Sequence, residues 1–135
     1  MPVAGIVNIK QTSEYDVYIG RQAMVATKWG NPYKIGIHYN RTKCLAMFEG
    51  TILIRILLTK EITYEALLGL SGKVLGCFCA PKRCHGEIIA KYVILAEDLN
   101  KDDFIRKCLE IGESIEEPKF KSKFKQIRAL YDKCK

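Results

Sequence analysis

Long hydrophobic runs are missing from this 135-residue chain. No stretch of about eighteen apolar residues occurs, and that length is what a membrane-spanning helix needs. The most apolar segment, Ile52 to Leu58, is interrupted by Arg55. The opening Met-Pro-Val-Ala-Gly has no basic stretch followed by an apolar core, so no secretory leader is read and a cytoplasmic location is expected. Internal repeats and low-complexity tracts are also lacking, which argues against solenoid and disordered classes. Tryptophan occurs once and histidine twice, so imidazole chemistry can rest only on His38 or His85.

What is present is a single-domain quantity of apolar side chains, 48% of residues, enough for one core. Six cysteines in a chain expected inside a cell read as thiols, metal ligands or reactive groups, not as a disulfide framework. The net charge of +7 is unevenly placed. From Pro118 onward, Lys119, Lys121, Lys123, Lys125, Arg128, Lys133 and Lys135 face one acid, Asp132, and the rest of the chain is close to neutral. Such a basic appendage can meet nucleic acid through its phosphates. The favoured alternative is a helix docked by Phe120, Phe124, Ile127, Leu130 and Tyr131 with its lysines in water.

Strand and helix signals alternate. Val3 to Ile9 and Asp16 to Gly20 read as strands without polar alternation, as expected when both faces are covered. Residues 22 to 40 lack a period and read as a long loop. Helical spacing covers Thr42 to about Lys60, and Thr63 caps a short helix that Gly72 stops. A central strand, Lys73 to Phe78, runs into a helix from Cys84 to roughly Asp98, followed by helices over 102–111 and 119–133. The fold class expected is α/β: a compact, three-layer, Rossmann-like arrangement. It has a small, mostly parallel sheet with helices on both faces, plus a C-terminal basic helix. Residues 1–99 form the expected core domain and 100–135 a helical extension.

Chemistry concentrates between Cys77 and His85. Cys77 and Cys79 lie two apart at a strand end and so point the same way. Cys84 and His85 open a helix, where unpaired N–H groups and the dipole favour negative charge. Three chemistries fit. Zinc would use Cys77, Cys79, Cys84 and His85, but C-x-C followed by adjacent Cys-His is not the usual C-x₂-C pairing, and no metal or other cofactor is favoured. A phosphatase-like loop would use the C-x₅-R spacing from Cys77 to Arg83, against which Pro81 removes a donor and Phe78 adds bulk. The third is a pocket for a nucleotide-like small molecule, with the helix start holding the anion and His85 serving as acid or base.

Tyr18-Ile-Gly-Arg21, Trp29-Gly-Asn-Pro-Tyr33 and Leu75-Gly-Cys-Phe-Cys-Ala-Pro-Lys-Arg-Cys-His-Gly86 stand in an order and spacing that resembles domain of unknown function 4326. That family is found in bacteria, phages and large DNA viruses. The resemblance spans about Val3 to Leu95 and implies a compact α/β domain with Arg21, Asn31, Cys77, Cys79, Cys84 and His85 at a shared site. It supplies no reaction.

The resulting expectation is an enzyme acting on a nucleotide, nucleoside or nucleotide-derived molecule at the carboxyl edge of the sheet. His85 and one of Cys77, Cys79 and Cys84 would react; Gly20, Arg21, Gly30 and Asn31 would hold the substrate, and Trp29 would stack on it. The alternatives are a non-catalytic binder of a nucleotide signal or nucleic acid, acting in viral conflict with a host, and a zinc-stabilised interaction module.

Overall fold

A computed structural model describes residues 2–22, 25–26, 28–33, 36, 39–78 and 84–134, with the backbone alone at 21–22 and 25–26. His38, Cys79, Pro81, Lys82 and Arg83 lie outside the described residues, as does the side chain of Arg21. The described elements are β1 (Gly5–Asn8), β2 (Val17–Tyr18), β3 (Arg21–Gln22), β4 (Val25–Ala26), α1 (Arg41–Leu57), α2 (Tyr64–Leu68), β5 (Val74–Cys77), α3 (His85–Asp98), α4 (Lys101–Glu113) and α5 (Pro118–Lys133). Mixed helix and strand is therefore observed, with five helices among the described residues.

The sheet has three parallel strands in the order β1-β5-β2. Gly5 pairs with Val74 through to Asn8 with Cys77, while Val17 and Tyr18 pair with Leu75 and Gly76. Placing β5 in the centre explains its composition: Leu75 and Cys77 are fully buried, as a strand flanked and covered requires. Asp16 fixes the register of β2 twice over, accepting from the Val74 N–H through its carboxylate (2.8 Å) and donating its own N–H to the Val74 carbonyl (2.8 Å). The start of the segment expected to be a long loop, residues 22 to 40, joins Arg21 in a short antiparallel ribbon, with Arg21 opposite Ala26 and Gln22 opposite Val25. Strands of two residues are too short to show alternation, so no sequence period announces them.

Each long helix starts where its chemistry says. Asn40 caps α1 by accepting from the Lys43 N–H (2.9 Å), Thr63 caps α2 from Ala66 (3.0 Å), and Asn100 caps α4 from Asp103 (2.9 Å). Pro118 opens α5, where its missing N–H costs nothing. Two glycines allow α5 to seat. A Cβ on Gly50 of α1 would lie 2.6 Å from the Phe120 ring, and one on Gly112 of α4 would lie 2.3 Å from the Phe124 ring. Phe120, Phe124 and Ile127 thus enter the same hydrophobic core as Ile52, Leu53, Tyr92 and Phe104. The basic extension is packed on α1; of its expected inner stripe Leu130 is exposed, while Tyr131 packs against the core. On α3 the buried face is Ile89, Tyr92, Val93 and Ala96, with Ile88, Leu95 and Leu99 partly buried against the same core.

No helix among the described residues is long and apolar enough to cross a membrane.

Candidate functional site

The carboxyl ends of β1, β5 and β2 carry the candidate site. Strand β5 stops at Cys77, and pleat alternation turns Cys77 into the core while Phe78 points outward, 52% exposed. Three contacts close the edge. The Ile9 N–H donates to the Cys77 carbonyl (2.9 Å), the Ile19 N–H donates to the Gly76 carbonyl (3.0 Å), and the Asn8 amide donates to the Phe78 carbonyl (3.1 Å). The Tyr18 ring meets Phe78 edge-on at 6.1 Å, and the Lys10 ammonium stands 5.7 Å from the centre of the Phe78 ring.

Helix α3 begins against this edge. Cys84 is its N-cap, its sulfur accepting from the Gly86 N–H at 3.3 Å. Gly86 is buried between strands: a Cβ there would lie 2.9 Å from the Ile19 side chain and 3.2 Å from both Ile6 and Cys84. Only glycine lets the helix start so close to the sheet. The sulfurs of Cys77 and Cys84 are 3.5 Å apart, and both residues are buried.

His85, the first residue of α3, is 8% exposed. Its Nε2 lies 2.7 Å from the Ile19 carbonyl, and its ring meets Phe48 of α1 edge-on at 5.1 Å. A carbonyl oxygen only accepts, so Nε2 carries a hydrogen and donates it, and this bond across the sheet edge orients the imidazole. Gly20, the next residue, is buried under the Tyr18 ring, where a Cβ would sit 2.3 Å from the Tyr18 hydroxyl.

The Trp29-Gly-Asn-Pro loop is held differently. Trp29 is 6% exposed and belongs to the hydrophobic core, so the expected stacking wall is corrected: its ring is spent on packing. Arg55 of α1 donates through Nη1 to the carbonyls of Lys28 (2.9 Å) and Gly30 (2.8 Å). Burial pulls this guanidinium below its ordinary value, partly opposed by Glu61, whose carboxylate is 3.7 Å from Nε. Asn31 donates to the Cys44 carbonyl (3.3 Å) and accepts from the Tyr33 N–H (2.9 Å), both of them bonds within the loop's own anchorage. Cys44 and Phe48 are one turn apart on α1, so that helix joins the loop to the histidine.

The structure thus brings Gly20, Cys77, Cys84 and His85 together, and it assigns Trp29, Gly30 and Asn31 to a loop clamped on α1. Sequence reasoning missed Phe78, Lys10 and Arg55. Strand alternation held the signal for Phe78, since its neighbour Cys77 faces inward; Arg55 was visible only as a charge interrupting an apolar run. Among the described residues no group of three or more His, Cys, Asp or Glu side chains is placed to hold a metal ion.

The basic residues of α5 are partly committed. Lys119 bonds the Tyr33 hydroxyl, Lys121 lies 3.2 Å from Glu116, and Arg128 is bidentate to Glu113 at 2.9 and 2.7 Å. Hydrogen bonding to Arg128 holds the Glu113 carboxyl below its usual range. An apolar groove of about 550 Å³ lies elsewhere, lined by Ile56, Ile62, Ile105, Leu109, Ile127 and Leu130 among others. It is separate from the sheet edge and lacks the histidine.

Comparison with known proteins agrees with the three motifs. The family model described as "Domain of unknown function (DUF4326)" matches residues 7–94. The chain is also similar to "Uncharacterized 12.4 kDa protein in nrdA-td intergenic region" of Enterobacteria phage T4, 41% identical over 95 residues, covering 70% of this chain and 80% of the phage protein. No solved structure matches.

Proposed function

We propose, for a chain that belongs to the DUF4326 family, that the carboxyl edge of the sheet takes a nucleotide or nucleotide-derived small molecule and that His85 acts on it as acid or base. The observation that carries this is the Phe78 ring, exposed at the end of the central strand with the Lys10 ammonium 5.7 Å away. An exposed aromatic face beside a cation fits a base and its phosphate, and the positive end of the α3 dipole lies at the same edge. Three parallel strands, with α1 and α2 crossing over between β2 and β5, support a Rossmann-like arrangement in which ligands sit at this edge.

Phe78 takes the stacking role expected of Trp29. His85 is the proposed acid or base at this edge, its Nε2 held by the Ile19 carbonyl. Arg21 follows Gly20 at the same edge by its backbone position and is the proposed phosphate clamp. The burial of both thiols equally favours a binder without turnover, as in a phage or viral factor that sequesters a nucleotide signal. Location in a host cytoplasm is part of the same proposal.

A thermal-shift panel of nucleoside mono-, di- and triphosphates and nucleotide sugars tests the pocket. A ligand at 100 times its Kd stabilises by about 2.7 kcal/mol. A ligand from the panel should raise the melting temperature, and an unmoved melting temperature across the panel contradicts the proposal. Turnover of that ligand, lost in His85→Gln while binding persists, marks an enzyme; binding without turnover marks the sequestering factor. Glutamine places an amide nitrogen near the position of Nε2, so the Ile19 bond is kept while the imidazole is removed.

A further inference from the structure

We propose that Cys77 and Cys84 form a reversible redox pair, a disulfide-forming site at the junction of β5 and α3 whose oxidant is a small peroxide. The inference stands on geometry separate from the nucleotide proposal. The two sulfurs are 3.5 Å apart, in van der Waals contact, although six residues separate them in the chain. One thiol ends the central strand and the other caps the helix, so the backbone on both sides is fixed by secondary structure. Cys84 has the Gly86 N–H aimed at its sulfur and sits at the positive end of α3, a setting that favours negative charge. Cys84 is therefore the attacking sulfur and Cys77 the resolving one.

The chemistry balances in two steps. The Cys84 thiolate attacks one peroxide oxygen, the O–O bond breaks, and the products are a sulfenic acid and hydroxide. The Cys77 sulfur then attacks the Cys84 sulfur, the S–OH bond breaks, and the departing hydroxide takes the Cys77 proton as water. Two thiols and one hydrogen peroxide become one disulfide and two waters. Both residues are nearly closed to solvent, 0% and 2% exposed, which is why a small peroxide is the fitting oxidant and a bulky disulfide is not. The new bond would tie the end of β5 to the start of α3 and close the 78–83 segment into a ring. Cys108 provides an internal control, since burial pushes its thiol up to about 12 and no partner sulfur adjoins it among the described residues.

Trypsin cuts after Lys73, Lys82, Arg83 and Lys91, so a bond from Cys77 to Cys84 joins peptide 74–82 to peptide 84–91. Treating the folded full-length protein with stoichiometric hydrogen peroxide, quenching by alkylation and digesting should yield this linked pair. Dithiothreitol should return it to thiols, and Cys108 should remain alkylatable after unfolding. Fragmentation of the linked peptide distinguishes Cys77 from Cys79 in the unaltered protein, and Cys79→Ser should retain the link while Cys84→Ser loses it. A link through Cys79, unlinked Cys77 and Cys84 after oxidation of Cys134, or stoichiometric zinc in the native protein that disappears in Cys77→Ser would each overturn the proposal.

Discussion

The thiol-rich turn and the Trp29 loop are equally dense in unusual residues, yet the structure gives them opposite assignments. The loop turns its distinctive groups inward: Trp29 fills core, Asn31 bonds backbone, and Arg55 clamps the Lys28 and Gly30 carbonyls from α1. The turn buries Cys77 and Cys84 but leaves Phe78 in solvent and sets His85 Nε2 against the Ile19 carbonyl. Motif density alone does not identify chemistry. Burial and the partner of each polar atom separate a clamp from a site.

That contrast can be broken by substitution, and the largest effect should fall on the loop. Trp29→Ala removes a buried ring and should cost about 3–5 kcal/mol in denaturant unfolding; a cost below about 1 kcal/mol would show that the ring is not core. Arg55→Met leaves two carbonyls without their donor and should cost about 2 kcal/mol, with no change in any ligand response that survives. Gly86→Ala forces a methyl between Ile19 and Cys84 and should cost about 1–3 kcal/mol through overpacking. Phe78→Ala should be the smallest in stability, within about 0.5 kcal/mol, because the ring is exposed.

Much of the fold was legible in the sequence because its signals are local. The strand-to-helix signature at 73–85, the Thr63 cap and the helical spacing of α1, α3, α4 and α5 all depend on neighbours within a few residues. What escaped was decided at long range. Gly50 and Gly112 look like helix weaknesses until Phe120 and Phe124 are seen against them. The β3–β4 ribbon has strands too short to carry a period. Leu130 completes a helical stripe in sequence but is exposed, lining an apolar groove with Ile56 and Ile105.

The site divides in the same way. The clustering of Cys77, Cys84 and His85 followed from spacing, and their meeting with Gly20 followed from expecting two parallel strand ends at one edge. Which aromatic faces solvent did not follow from composition, because Trp29 and Phe78 both stand in dense motifs and are told apart by what packs on them. The orientation of His85 depends on a carbonyl 66 residues away.

The account rests on Phe78 forming the exposed wall of a ligand site, and affinity for a nucleotide measured by titration calorimetry in Phe78→Ala against the unaltered chain tests this most directly. Loss of a stacking partner worth about 1–3 kcal/mol predicts affinity lower by roughly 5- to 150-fold at unchanged melting temperature of the free protein. Equal affinity in the two proteins would contradict it.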